Sequence, residues 1–252
     1  MRRFFIAPEQ IHEARPRLGE EDARHVRTVL RLQPGAVIVV FDGTGAEYEA
    51  RIDAVEERQV CIALVRPLAS GSESSLEITL AQAYLKDKKM DQLVRRLTEL
   101  GVSRWQPFMA KRSIPSPDEK RSQARHQRWQ KISQEAVKQC RRSRPMRIET
   151  PVGFAEARDI SRPCDLKLFF WEGPEAQPLH RPVDHPLPAK VFVMIGPEGG
   201  FEPSEQHAAQ AHGFRMVALG PRILRAETAT VAACTLVQFL FGDMGQNVLD
   251  KA

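Results

Sequence analysis

Two glycine-proline segments near the C-terminus constrain the fold of this chain more than any other feature. One reads Met194-Ile195-Gly196-Pro197-Glu198-Gly199-Gly200-Phe201, the other Leu219-Gly220-Pro221-Arg222-Ile223-Leu224-Arg225-Ala226-Glu227-Thr228. Each follows a short β-like run, at 191–195 and 216–219, and each precedes a helical pattern. Two strand–loop–helix junctions so close together imply neighbouring parallel strands whose C-terminal ends face one crevice. Open α/β sheets bind ligands in such a crevice. Glycine permits close backbone approach and proline fixes loop shape. The resulting pocket is lined largely by backbone groups and suits a nucleotide-like cofactor.

Upstream, the chain changes character at a serine-rich stretch. Residues 1–70 read mostly as β, residues 71–75 as a linker, and residues 76–252 as a second domain. In the first part, strands are expected at 36–41, 46–52 and 59–65, with the turn Asp42-Gly43-Thr44-Gly45 after the first. A short helix is expected over 20–31, with Val26, Val29 and Leu30 on one face. In the second part, strands at 76–83, 104–109, 166–171, 191–195 and 215–219 alternate with helices at 88–100, 119–142, 203–212 and 226–241. A proline-rich loop covers 174–188. This alternation predicts an α/β domain with a parallel sheet. The last helix is apolar nearly all round, so it is either a central core helix or one buried partly against a second subunit.

Charge narrows the function. Residues 76–150 carry 18 basic and 8 acidic side chains, a net of +10, whereas the flanking thirds are slightly acidic. Such confinement is the footprint of a polyanion-binding surface. The apolar loops lack both G-x-G-x-x-G and G-x-x-x-x-G-K-[ST], which argues against a dinucleotide or a nucleoside triphosphate. A nucleoside without a phosphate chain fits better. Cys61, Cys140, Cys164 and Cys234 form no C-x-x-C pair, so neither a structural metal site nor a disulfide framework is expected. No run approaches the ~20 apolar residues of a membrane span, and a cytoplasmic protein is expected.

The paired segments, with Glu205, closely resemble the RsmE family. These are the 16S ribosomal RNA (uracil 1498-N3) methyltransferases of the SPOUT superfamily. The resemblance extends along essentially the whole chain. It includes Glu99-Leu100-Gly101-Val102, Arg128-Trp129-Gln130-Lys131-Ile132, Glu135 through Gln139 to Arg141, His25 through Val29-Leu30-Arg31, and Phe41-Asp42-Gly43. It implies an N-terminal PUA-like β-barrel and a C-terminal domain with a deep trefoil knot. It also implies a homodimer and S-adenosylmethionine as methyl donor. Carried over by motif, the cofactor positions are Ile195, Gly196, Glu198, Gly199, Leu219, Gly220, Ile223 and Leu224.

Uracil N3 carries a proton and is a poor nucleophile until that proton leaves. Glu227 and Glu198 are the nearby candidate bases. Arg225 and Arg222 are candidate stabilisers of charge developing on O2 or O4. Of these, Arg225 and Glu227 are the catalytic candidates. RNA contacts are expected from Arg2, Arg3, His25, Arg31, Lys86, Lys88, Arg112, Arg141, Arg142 and Arg144. The competing readings are a SPOUT enzyme acting on another RNA site and a non-catalytic ribosome-assembly factor that keeps the fold.

Overall fold

The computed structural model describes residues 1–57, 59–69, 72–86, 89–114, 119–180 and 186–245. The chain forms two compact units. One comprises Met1–Glu73 and Gln134–Pro145, the other Ser74–Ser133 and Met146–Ala252.

The first unit contains β1 (Arg3–Phe5), α1 (Pro8–Ile11), β2 (Arg17–Leu18), α2 (Glu20–Arg24), a π-helical turn (His25–Leu30), β3 (Val37–Phe41), β4 (Glu47–Val55) and β5 (Val60–Leu68). Its sheet runs β1-β3-β4-β5-β2. The β1–β3 pair is parallel and the other pairs are antiparallel. Phe4, Ile6, Ile38, Val40, Ile52, Val60 and Ile62 form its core. The expected turn is present: Asp42 Oδ1 accepts from the Thr44 amide and hydroxyl, each at 2.8 Å. The expected 20–31 helix is not a single α-helix. It widens at His25, and the Arg31 amide closes on the Val26 carbonyl, an i→i+5 bond. The wider turn breaks the 3.6-residue period. Val26 is buried and Leu30 half-buried, but Val29 is 64% exposed.

The second unit contains β6 (Glu77–Ala83), α3 (Lys89–Glu99), β7 (Arg104–Met109), α4 (Glu119–Cys140, whose last turns belong to the first unit), β8 (Arg147–Ile148), β9 (Val152–Gly153) and α5 (Phe154–Asp159). It continues with β10 (Leu166–Phe170), β11 (Gln177–Pro178), β12 (Lys190–Ile195), α6 (Pro203–Ala211), β13 (Arg215–Ala218) and α7 (Ala226–Phe241). The sheet order is β11-β13-β10-β12-β6-β7-β8, with β9 also on β7. Every registered pair in it is parallel. The two motif-bearing strands, β12 and β13, are therefore not neighbours. β10 lies between them, because the chain crosses over β10 to reach β13. Their C-terminal ends still open on the same side, with the end of β10 between them.

Both faces of the sheet are covered, as parallel sheets require. Ile78, Leu80, Val191 and Val193 pack with Leu93, Leu97, Ala233 and Val237 of α3 and α7. The alternate residues Ala81, Phe192, Met194 and Phe169 pack on the opposite face with Ala157 of α5 and Ala209 of α6. Helix α7 buries Thr230, Ala233, Cys234 and Val237 yet leaves Leu236 and Phe239 exposed. Among the described residues no helix is long and apolar enough to cross a membrane. No group of His, Cys, Asp or Glu among them could hold a metal ion.

Candidate active site

The C-terminal ends of β10, β12 and β13 surround a cavity of about 370 Å³. Phe170, Trp171 and Glu172 come from β10 and the loop after it. Ile195, Gly196, Pro197, Glu198, Gly200 and Phe201 come from β12 and its loop. Val217, Leu219, Gly220, Arg222, Ile223, Leu224, Arg225, Ala226 and Ala229 come from β13, its loop and α7. Seven of the eight sequence-derived cofactor positions line it. Gly199 does not; its carbonyl accepts a 3.1 Å hydrogen bond from Arg112 Nη1.

The glycines act for different reasons. Gly196 packs against the Phe201 ring so closely that a Cβ would sit 2.9 Å from it. Phe201 in turn lies 4.1 Å from the Phe169 ring, which pins the loop to the sheet. Gly220 has open space around it but a φ of +88°, which side-chain-bearing residues rarely adopt. The first loop is closed by a capping box. Glu202 accepts from the N3 amide of α6, and Glu205 Oε2 accepts from the Glu202 amide at 2.9 Å. Buried Glu205 also accepts from the Lys111 amide at 3.0 Å.

The fully buried Gln82 of β6 ties the first loop to α7. Its Oε1 accepts from Thr230 Oγ1 of α7 at 2.5 Å, and its Nε2 lies 3.5 Å from the Gly196 carbonyl.

The charged groups arrange differently from their order in sequence. Glu227, in the first turn of α7, pairs with Lys89 at 3.2 Å, and Lys89 also reaches Glu198 at 3.0 Å. The side chains of Arg222 and Arg225 are exposed, and neither has a hydrogen-bond or ion-pair partner among the described residues. Burial works against ionisation of Glu198. Its own amide, the Lys86 amide (3.1 Å) and the Lys89 ammonium outweigh it and hold the carboxyl below its ordinary range. The Glu198 hydrogen bond, with Glu227 adding to it, pushes the Lys89 ammonium up. Lys89 was not singled out in the sequence because it opens an amphipathic helix and belongs to neither glycine-proline segment. Trp171 and Glu172 were likewise invisible, because only the strand order brings β10 between the motif strands.

Arg225 occupies the N-cap of α7 with extended backbone (φ −61°, ψ 147°) and makes no side-chain cap. A cation there opposes the helix dipole, which favours negative charge at that end.

In the first unit a basic cavity of about 690 Å³ gathers Arg2, Arg3, His25 and Arg141 with Arg24 and Lys138. Arg3 is committed inside the unit: it pairs with Glu47 at 2.8 Å and donates to the Arg142 carbonyl at 3.1 Å. Arg142 is buried against Glu73 at 3.0 Å. Arg144 is exposed, and its Nε donates to the Thr44 carbonyl at 2.8 Å. Arg31, Lys86 and Arg112 are exposed outside this cavity. Lys88 lies outside the described residues.

Comparison with known proteins agrees with this architecture. Residues 72–238 match the family described as an RNA methyltransferase domain, and residues 18–65 match the RNA methyltransferase PUA domain. Ribosomal RNA small subunit methyltransferase E of Synechocystis is 32% identical, over 94% of this chain and 77% of that protein. Its counterpart from Aquifex aeolicus is also 32% identical, over 87% and 92%. Among solved structures, the Neisseria gonorrhoeae ribosomal RNA small subunit methyltransferase E bound to S-adenosyl methionine is 33% identical. It superposes with a TM-score of 0.85 over 96% of this chain and 99% of that one. Legionella pneumophila Lpg2936, in complex with the bound cofactor SAM, is 31% identical with a TM-score of 0.86, over 96% and 98%. With relatives this close along nearly its whole length, the chain belongs to the ribosomal RNA small subunit methyltransferase E family.

Proposed function

We propose that this protein transfers a methyl group from S-adenosylmethionine to N3 of uridine 1498 in 16S rRNA of the small ribosomal subunit. The observation that carries the reading is the cavity at the strand ends. Its volume lies in the range of about 300–1,000 Å³ usual for small-molecule sites. The donor set suits the cofactor. Ile195, Leu219, Ile223 and Leu224 offer apolar walls for an adenine, and the two loops offer backbone groups for its polar edge. Glu198 at the rim offers a carboxylate to a cationic ligand. When bound, the cofactor supplies a sulfonium methyl: the N3–C bond forms, the S–C bond breaks with its electron pair left on sulfur, and the N3 proton departs.

The chain's own residues then have two tasks. Glu227 takes the N3 proton and later releases it to solvent. Arg225, whose side chain has no partner among the described residues, stabilises the negative charge appearing on the ring oxygens. RNA contacts come from the exposed Arg2, His25, Arg31, Arg141 and Arg144 of the first unit and from Lys86 and Arg112 of the second, whereas Arg3 and Arg142 hold the first unit together. Exposed apolar residues on and after α7, Leu236, Phe239 and Met244, support a homodimer. The same family reading carries the trefoil knot, the division near residues 71–75 and a cytoplasmic location.

Isothermal titration with S-adenosylmethionine tests the cavity assignment. Wild type binds, and Gly220→Val, strained at its positive φ, loses at least tenfold in affinity. Equal affinity in the two proteins would remove the cavity from cofactor binding.

A further inference from the structure

Lys89 stands where the two carboxylates of the site meet. Its Nζ lies 3.0 Å from Glu198 Oε1 and 3.2 Å from Glu227 Oε2, and its side chain also lines the cavity. An ammonium has three N–H donors and no acceptor. One is spent on the hydrogen bond to Glu198, while the Glu227 contact is an ion pair in which Glu227 Oε2 has no hydrogen-bond partner among the described residues, so N–H capacity is left for whatever enters the cavity. Contact with both carboxylates holds the ammonium, whereas Arg222 and Arg225 are exposed and have no side-chain partner among the described residues.

The chemistry at N3 moves charge in one direction. Before proton transfer the negative charge sits on Glu227. Afterwards Glu227 is neutral, and the charge is spread over the uracil ring and its two carbonyl oxygens. A cation already paired with Glu227 loses that counter-charge as the ring acquires it. Its interaction with the ring is therefore stronger in the transition state than in the ground state, the condition for catalysis, and lowers the barrier by whatever exceeds the lost pairing with Glu227. The Glu198 hydrogen bond, with Glu227 adding to it, also shifts Lys89 further toward its protonated form.

We infer that Lys89 is a further catalytic residue of methyl transfer, donating an N–H not used by Glu198 to a uracil carbonyl oxygen beside N3 and exchanging Glu227 for the ring anion as the proton moves. The inference rests on the uridine-N3 reading above. The balance is simple: the N3–H electron pair stays on the ring and becomes the N3–C bond, the proton goes to Glu227, and Lys89 keeps all its protons.

The test compares wild type, Lys89→Met and Lys89→Arg on unmodified small subunits reconstituted with uridine or 5-fluorouridine at the target. The fluorine makes N3 more acidic and so lessens the need for anion stabilisation. Cofactor affinity of Lys89→Met, measured by titration, is expected within about threefold of wild type. Its single-turnover rate on uridine falls about 10²–10³-fold, the usual loss for one anion-stabilising donor. Lys89→Arg recovers part of that rate, and 5-fluorouridine accelerates Lys89→Met at least tenfold more than wild type. If cofactor affinity falls in parallel with rate, or the fluorine accelerates both proteins equally, Lys89 is only a tie between loops and the inference fails. Should Lys89→Met not fold, Lys89→Gln takes its place under the same criteria. Absence of transfer to N3 by wild type would overturn the proposed function itself, a separate outcome.

Discussion

Arg225, the proposed catalytic arginine, sits where a cation works against stability. At the N-cap of α7 it supplies no side-chain acceptor and places a cation at the positive end of the helix. Arg225→Ser is therefore expected to stabilise the protein by about 1 kcal/mol, read from denaturant unfolding. The same change is expected to slow single-turnover methylation at least tenfold with cofactor affinity nearly intact. A variant less stable than wild type would mean that Arg225 has a structural role. Glu73 shows the opposite case. Its carboxylate receives the Arg142 guanidinium at 3.0 Å and the Ser143 and Arg144 amides, each at 2.9 Å. Burial opposes its charge, yet the Arg142 charge and these hydrogen bonds prevail and hold its pKa below the usual glutamate value. A depressed carboxylate pKa contributes stability above the unfolded value of about 4.3, and that contribution is lost as pH falls through the folded value. Glu73→Gln should cost about 3 kcal/mol at neutral pH and flatten the acid limb of the stability profile below pH 4. This pairing was not legible in the sequence, because Glu73 and Arg142 are 69 residues apart.

At the scale of elements, strands with continuous apolar runs and helices with a full apolar face could be read directly. The strand at Arg104–Met109 and the helix at Ala226–Phe241 match their expected bounds. The elements that escaped were short, such as β2, β8, β9 and β11 at two residues each. Two residues carry no period, and pairing with a distant strand alone makes them β. The π-turn at His25–Leu30 escaped because a 3.6-residue period was assumed across it. In the site, the glycine-proline segments announced the cavity, but the groups beneath and beside it came from other elements. Gln82 is one, joining β6 to α7 through Thr230. Thr230→Val leaves the buried Gln82 Oε1 without that donor, at a cost of about 1–3 kcal/mol. Because the same amide faces the Gly196 carbonyl, cofactor affinity should fall as well. Calorimetric titration and thermal unfolding on one preparation would show both; a loss of stability with unchanged affinity would separate Gln82 from the site.

For the whole molecule, the exposed surface bears on assembly and substrate. The exposed side of α7 carries Phe239 at 57% and Leu236 at 38% exposure, on a helix whose other side is core. If this side joins two copies, Phe239→Asp yields a monomer in light scattering with its unfolding transition retained; a variant that stays dimeric would move the interface elsewhere. The basic middle of the sequence signalled a polyanion partner, yet part of that charge is consumed internally, as Arg142 shows. Charge counting along a chain does not distinguish a cation that holds a fold from one that faces solvent. The most direct measurement is transfer of labelled methyl from S-adenosylmethionine to small subunits from cells lacking the modification, followed by nucleoside mass spectrometry and position mapping. The expected product is 3-methyluridine at position 1498. Label on a ribose, on another base, or nowhere would contradict it.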